Sequence, residues 1–270
     1  MTSVQAVVLG IVQGVTEFLP ISSTAHLRVV PALLGWDDPG AAFTAVLQLG
    51  SLAAVIGYFM KDLLTMLGAG ARALMDRSKP PEPAARLLLY IIVGTIPIGI
   101  MGILLKHKVE GSFRSLSVIA AAQIVVGLAL AVVEKTSRKT RGIDDVKMND
   151  AVAIGCAQAL ALVPGVSRSG ITLLAAMNLG FQRAAAARFS FLLSIPAVAA
   201  AGIFELPHVL KSRDVSGATL AIGLVAAVVS SYASIAWLLR FLRTRTTIPF
   251  VIYRVALGAL IFGLLAAHRL

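Results

Sequence analysis

Apolar residues run through most of this chain, and two short polar segments interrupt them at matching positions in each half. The first extends from Gly10 to His26 and the second from Gly155 to Thr172. Each has a Gly, a Gln three residues later, then a Pro and a cluster of Ser, and the offset between them is 145 residues. Polar and ionisable side chains within membrane-depth sequence are costly, and they mark functional sites by default.

Each polar segment divides a pair of half-length helices. Residues 4–19 form an apolar run that Pro20 interrupts, and a second run continues from a pair of serines to Leu34. Residues 150–163 and 168–180 repeat this layout around a Pro-Gly break. Because such runs are short for a membrane span, and irregular backbone at membrane depth must be covered, we predict two re-entrant helical hairpins.

Six longer apolar runs predict six transmembrane helices, at residues 42–60, 87–105, 116–134, 184–204, 217–239 and 248–267. The predicted fold is therefore an all-α integral membrane protein, a single domain over 1–270. Three spans lie between the hairpins, and this odd number predicts an inverted-topology repeat with halves of about 1–134 and 135–270. In such repeats the site lies near the midplane, where the broken helices meet.

Composition supports a membrane protein, since 58% of residues are hydrophobic and only 14% are charged. The net charge of +11 does not indicate nucleic acid as a partner, because Lys and Arg fall mostly in loops between spans. Alternate loops carry 13 and 6 of them, which places the richer side in the cytoplasm and the first hairpin on the outer face. The single Cys156 excludes an internal disulfide.

The first polar segment holds the parts of an activated nucleophile. Gln13 and Glu17 share a helix face, and Ser22 and Ser23 lie four and three residues before His26 on the next helix. The break lets a carboxylate, a hydroxyl and an imidazole converge. The competing interpretation is that the serines only cap a helix, Glu17 bonds to the backbone and His26 lies alone at the interface.

The second polar segment holds the parts of an anion site. Gly165 lies at a helix start, where free N–H groups attract phosphate, and Arg168 offers a permanently charged fork. Ser167, Ser169 and Thr172 add donors. The competing interpretation is an Arg that extends to the membrane surface. We assign substrate binding to Gln13, Ser22, Thr24, Gly165, Ser167, Ser169 and Thr172.

The stretches from Gln13 to His26 and from Pro164 to Thr172 closely resemble the two signatures of the undecaprenyl-pyrophosphate phosphatase family, the bacitracin-resistance type. The segment from Arg183 to Ala197 also resembles that family, and the resemblance covers essentially the whole chain. Gln13 is within the family pattern, whereas Ala25 stands where Gly is usual.

The resemblance implies a multi-pass enzyme of the bacterial plasma membrane that dephosphorylates the C55 lipid carrier diphosphate on the outer face, recycling carrier for cell-wall synthesis. It also implies a divalent cation, Mg²⁺ or else Ca²⁺. Together with the chemistry above it assigns catalysis to Ser23 as nucleophile, His26 as proton acceptor or donor, Arg168 as phosphate ligand, and Glu17 as partner of His26 or metal ligand. The alternative makes His26 the nucleophile.

A second function class is a lipid-phosphate flippase that uses the same midplane site, since inverted repeats with broken helices are also transporter architecture. We favour the enzyme because a carrier has no need of a Ser–His–Glu group. The expected partner is a membrane-embedded polyprenyl diphosphate lipid, and the sequence leaves a homodimer open.

Overall fold

The computed structural model describes residues 1–76, 78, 80–110, 112–212 and 216–267. This part of the chain is helical and contains no β-strand, which confirms the all-α prediction. Four of the Lys and Arg residues that were counted in the alternate loops lie outside the described residues: Arg77, Lys79, Arg213 and Arg269. The α-helices are α1 Ser3–Phe18, α2 Ser23–Leu34, α3 Gly40–Tyr58, α4 Met60–Met75, α5 Pro83–Leu104, α6 Lys106–Glu110, α7 Leu116–Thr136, α8 Met148–Ala159, α9 Arg168–Asn178, α10 Arg183–Ser212, α11 Gly217–Thr244 and α12 Ile248–Ala266.

Five helices are long and apolar enough to cross a membrane: α5, α7, α10 through His208, α11 and α12. The first predicted span corresponds to α3, which continues after a bend of 75° into α4. Counting that bent pair as one span gives up to six. The structure is thus that of a multi-pass helical membrane protein.

Two helices differ from the sequence prediction in their extent. The segment 61–86, between the first two predicted spans, begins with α4, whose buried Met66 and Ala69 are three residues apart and face the protein. The segment 205–216, after the predicted span 184–204, is helical as far as Ser212, because α10 continues through Pro196 and Pro207. Neighbouring helices in a membrane can compensate for the backbone bond that a proline removes, so apolarity alone ended the predicted span too early.

Both predicted breaks lie between half-length helices. The first separates Phe18 from Ser23, and the second separates the short 3₁₀ turn Leu160–Leu162 from Arg168. The residues just before α2 and α9 are Ser22 and Ser167, with φ of 74° and 72°. Each hydroxyl accepts a hydrogen bond from the backbone N–H three residues on, so each Ser caps the helix that follows.

Two pairs of short helices, α1 with α2 and α8 with α9, flank the breaks, and we call them the first and second hairpin. Small residues hold each hairpin against a long helix from the other half of the chain. Helix α1 packs on α11 where Gly10 meets Gly223, and α8 packs on α5 where Gly155 meets Gly94. A Cβ on Gly10 or Gly155 would overlap the carbonyl oxygen of its partner Gly. Close approach of backbones at small residues is a common means of joining helices in membranes.

Candidate active site

The carboxylate of Glu17 is the centre of the polar cluster between the two breaks. Glu17 lies in the last turn of α1 and is buried. Its Oε2 accepts hydrogen bonds from Ser23 Oγ over 2.5 Å and from Gln13 Nε2 over 2.8 Å. Its Oε1 forms an ion pair with Arg168, which comes from the second hairpin. One carboxylate therefore joins a hydroxyl, an amide and a guanidinium from both halves of the chain.

Ser23 and Arg168 occupy equivalent places in the two hairpins. Each is the first residue of a helix, α2 or α9, and each follows a Ser with positive φ. Non-glycine residues rarely adopt positive φ, and such backbone is concentrated at functional sites. The two side chains extend from their separate helices to opposite oxygens of Glu17.

His26 lies beside this cluster and contacts neither Ser23 nor Glu17 in the hydrogen-bond network. Its Nδ1 is 2.7 Å from the carbonyl oxygen of Ser22, and its Nε2 is 2.7 Å from the hydroxyl of Tyr253 on α12. Residue spacing predicts that His26 joins Ser23 and Glu17, whereas in the structure Ser23 donates directly to the carboxylate and His26 bonds elsewhere. Tyr253 is a contact of His26 that the sequence did not indicate.

The hydroxyls that flank the breaks pair with one another in the same way in both hairpins. Ser22 and Thr24 share a hydrogen bond of 3.1 Å, and Ser167 and Ser169 share another of 3.1 Å. Ser169 also donates to the carbonyl of Leu19 over 3.0 Å, which connects the two breaks directly.

Thr172 and Gly165 serve the backbone of the second hairpin. Thr172 is fully buried, and its hydroxyl lies 2.7 Å from the carbonyl of Arg168 and 2.5 Å from Ser190 Oγ. Gly165 has φ of 95°, and a Cβ there would overlap the backbone of Ile119 in α7. Thr172 and Gly165, both predicted to bind substrate, therefore contact protein groups near Arg168 in the structure.

Arg254 on α12 is a further residue of the site that sequence analysis missed. Its side chain is fully buried among backbone carbonyls. It donates to Pro20 O over 2.9 Å in the first break, and to Gly165 O and Val166 O over 2.8 and 3.0 Å in the second. A charged Arg within the apolar run 248–267 was the signal that could have found it.

Gln123 on α7 is a second donor to the first break. Its Nε2 donates to Ile21 O over 2.7 Å, and Ile21 precedes Ser22 as Val166 precedes Ser167. The first break therefore receives donors from both α7 and α12, the second break receives one from α12, and these two helices pack against each other. Side chains of neighbouring helices thus satisfy carbonyls that the breaks set free.

The two equivalent glutamines differ in their surroundings. Gln13 donates to Ser51 on α3 over 3.3 Å as well as to Glu17, while its Oε1 is buried with no partner among the described residues. Gln158 is also buried, and neither its amide oxygen nor its nitrogen has a partner within the described chain. The second hairpin has no acid matching Glu17, because Leu162 stands there.

The oxygens of this site suit a hard cation that is shared with a phosphate ligand. The described residues hold no group of three or more His, Cys, Asp or Glu that forms a complete metal site. Mg²⁺ is commonly held by one or two carboxylates together with substrate phosphates. Glu17 supplies a carboxylate of that kind, and the unpartnered Oε1 of Gln13 adds an amide oxygen.

Outside the spans, Asp38 connects the segment after α2 to the segment before α7. Its carboxylate accepts from Arg114 over 2.7 and 3.0 Å and lies 3.4 Å from Arg28 Nε. Burial raises the pKa of Asp38, but the hydrogen bonds from Arg114 and the Gly40 N–H, with the charge of both arginines, outweigh it and leave the pKa below its usual value. The carboxylate is therefore ionised at neutral pH.

These features define a helical membrane protein whose polar site lies between two broken helices. A family model described as bacitracin resistance protein BacA matches residues 6–260. A Myxococcus xanthus protein named undecaprenyl-diphosphatase is 53% identical over 271 residues, covering 100% of this chain and 91% of the relative.

Two further relatives have similar names. An undecaprenyl-diphosphatase of Gloeobacter violaceus is 56% identical over 271 residues, covering 98% of this chain and 93% of its own. The undecaprenyl-diphosphatase 2 of Frankia casuarinae is 46% identical over 283 residues, covering 100% and 97%. The chain belongs to the BacA family.

Proposed function

We propose that this protein hydrolyses undecaprenyl diphosphate to undecaprenyl phosphate and inorganic phosphate. Its relatives over the full chain, at about half identity, carry the name of that activity. The observation that carries the assignment to this site is the convergence of Ser23 and Arg168 on the buried carboxylate of Glu17. A nucleophile, a base and an anion ligand thus lie within one cluster.

Arg168 binds the diphosphate in this proposal. Its guanidinium carries five N–H donors in a fixed fork, of which contacts to Glu17 and to the carbonyl of Ser194 use only part. The remaining donors are available to phosphate oxygens. A fixed positive charge in a buried site stabilises the charge that develops on the transferring phosphoryl group.

Ser23 is the nucleophile and Glu17 its base. Ser23 Oγ attacks the terminal phosphorus while its proton passes to Glu17 Oε2, 2.5 Å away. The bond from that phosphorus to the bridging oxygen breaks, and its electrons leave with undecaprenyl phosphate. Water then attacks the phosphorus of the phosphoserine, the bond to Ser23 Oγ breaks, Glu17 returns its proton to that oxygen, and inorganic phosphate leaves. His26 is less suited to attack because both of its ring nitrogens are engaged, by Ser22 and Tyr253.

A divalent cation, Mg²⁺ or Ca²⁺, would be held by Glu17 and the Oε1 of Gln13 together with the diphosphate oxygens. When bound it would supply positive charge to the leaving phosphate. The Gln at position 13 gives the site one negative charge fewer than a Glu there would, so we expect the substrate to contribute more of the ligands.

The fold proposed around this chemistry is an inverted repeat of six spans and two re-entrant hairpins in the bacterial plasma membrane, with the site open to the outer face. Matching serine caps, and hairpins joined at glycines to α11 and α5, support the repeat. The orientation rests on the loop charges. The lipid-transport alternative has no contact among the described residues that favours it.

The orientation can be measured with single cysteines in a Cys156→Ser background, because Cys156 is exposed. We expect a membrane-impermeant maleimide added to intact cells to label Ser117→Cys but not Thr140→Cys. Both positions are exposed; Ser117 lies in the first turn of α7, and Thr140 lies four residues beyond its last residue, Thr136. The reverse labelling pattern would contradict the proposed orientation.

The decisive assay for the function is phosphate release from a long-chain prenyl diphosphate by the detergent-purified protein, with and without Mg²⁺. We expect wild type to release phosphate and Ser23→Ala to release almost none. A Ser230→Ala variant is the matched control, since Ser230 bonds only to backbone carbonyls away from the breaks. Absence of release by folded wild type with any metal would overturn the proposal and direct the next test to lipid flipping in liposomes.

A further inference from the structure

Tyr253 contacts His26 in two ways at once. Its hydroxyl lies 2.7 Å from His26 Nε2, and its ring stacks on the imidazole with centroids 5.6 Å apart and planes 11° from parallel. His26 is only 7% exposed, whereas Tyr253 is 44% exposed. The phenol therefore lies between a buried histidine and the surroundings of the protein.

The partners of His26 determine which of its nitrogens carries the proton. The carbonyl oxygen of Ser22 can only accept a hydrogen bond, so the Nδ1 that faces it must donate. In the neutral imidazole Nε2 is then the acceptor, and the Tyr253 hydroxyl is the donor. A phenylalanine would stack equally well but would leave Nε2 without this donor.

The neighbouring residue fixes Tyr253 in place. Arg254 follows it in α12 and is held by carbonyls of both breaks. The contacts of Arg254 therefore also fix the position of Tyr253 relative to the first break, because the two residues are adjacent in α12. Tyrosines of membrane proteins are also enriched at the lipid interface because their ring is amphipathic. The hydrogen bond to His26 distinguishes a positioning role from this interfacial role.

We infer that Tyr253 is a positioning residue for His26. The Ser22 carbonyl requires the tautomer with the proton on Nδ1, and the Tyr253 hydroxyl fixes the ring by donating to the lone pair on Nε2. The effect on turnover rests on the proposed function, because His26 Nδ1 holds the carbonyl of Ser22, which precedes the nucleophile Ser23. A displaced imidazole would misplace Ser23 and slow its attack while leaving substrate binding by Arg168 intact.

The test uses Tyr253→Phe in the full chain, with Tyr232→Phe as the matched control. Tyr232 is also half exposed, and its ring packs on the Tyr58 ring, away from the polar cluster. ¹⁵N NMR of histidine-labelled protein reports the tautomer, and His26→Gln assigns the signal among four histidines. We expect wild type and Tyr232→Phe to show the same His26 signals, with the proton on Nδ1, and Tyr253→Phe to show a shifted Nε2 signal because the lone pair has lost its donor.

Kinetics supply the second readout. We expect Tyr253→Phe to lower kcat about tenfold or more with little change in KM, because misplacement at a reacting centre carries costs of this order. An unchanged His26 spectrum in Tyr253→Phe would overturn the inference. An altered spectrum with unchanged kcat would remove Tyr253 from turnover. Absence of hydrolysis by wild type, beside an altered variant spectrum, would refute the proposed function and leave the tautomer assignment standing.

Discussion

Replacing Arg254 with Met tests whether one buried guanidinium holds both helix breaks together. The change keeps an unbranched side chain and removes every N–H donor. Three break carbonyls, those of Pro20, Gly165 and Val166, lose the donor that reaches them at 2.8–3.0 Å. The longer contacts of Arg254 to the carbonyls of Ala122 and Gln123 contribute less, because carbonyls within α7 also accept helical N–H bonds.

A buried carbonyl deprived of its partner costs about 1–3 kcal/mol, so three of them cost about 3–9 kcal/mol. Removing a buried charge acts in the opposite direction, since desolvation of an ion is itself worth several kcal/mol. Water entering the vacated space would satisfy part of the lost bonding. We therefore expect Arg254→Met to lower the free energy of unfolding by about 3 kcal/mol, the lower end of the range.

Reversible unfolding in mixed micelles, followed by circular dichroism during titration with a denaturing detergent, measures this difference. Arg254→Lys should fall between wild type and Arg254→Met, because one ammonium cannot reach three carbonyls as a fork does. Arg188→Met is the matched control, since Arg188 lies in α10, is far more exposed and pairs with Asp62. If Arg254→Met is as stable as wild type, the carbonyl contacts do not hold the breaks.

Three further predictions concern the site and its packing. Arg168→Ala should lose nearly all phosphate release, and retention of more than about a tenth would remove this residue from the core mechanism. Ser23→Ala and Glu17→Gln should each severely lower kcat for phosphate release. The double variant should be no slower than the slower single variant, because nucleophile and base act as a unit. Additive losses in kcat would contradict that pairing. Gly155→Ala should destabilise the protein by about 1–3 kcal/mol in the same detergent titration, whereas Gly263→Ala, where a Cβ meets open space, should change little.

The positions of the two breaks could be predicted from sequence because their causes are local. A Pro after a short apolar run, followed by Ser at an N-cap position, ends one helix and starts another. The observed starts of α2 at Ser23 and α9 at Arg168 follow those signals. The two polar segments meet in one cluster around Glu17.

The hydrogen-bond partners within the cluster could not be predicted from the sequence. Residue spacing places Glu17, Ser23 and His26 near one break, but the rotamers and a tertiary neighbour decide which groups bond. Here Tyr253 takes the imidazole, and Ser23 bonds to the carboxylate. Arg254 stayed hidden because its partners are backbone carbonyls 88 to 234 residues away, which no local pattern records.

The position of Arg254 in the last helix also sets an order of events during synthesis. In the proposed topology the carbonyl of Pro20 enters the membrane with the first hairpin, and its donor is made 234 residues later. At ordinary ribosomal rates the interval is roughly 10–50 s. During that time the carbonyl needs another partner, from the insertion machinery, from water or from a temporary neighbour, because bare carbonyls are not tolerated in hydrocarbon.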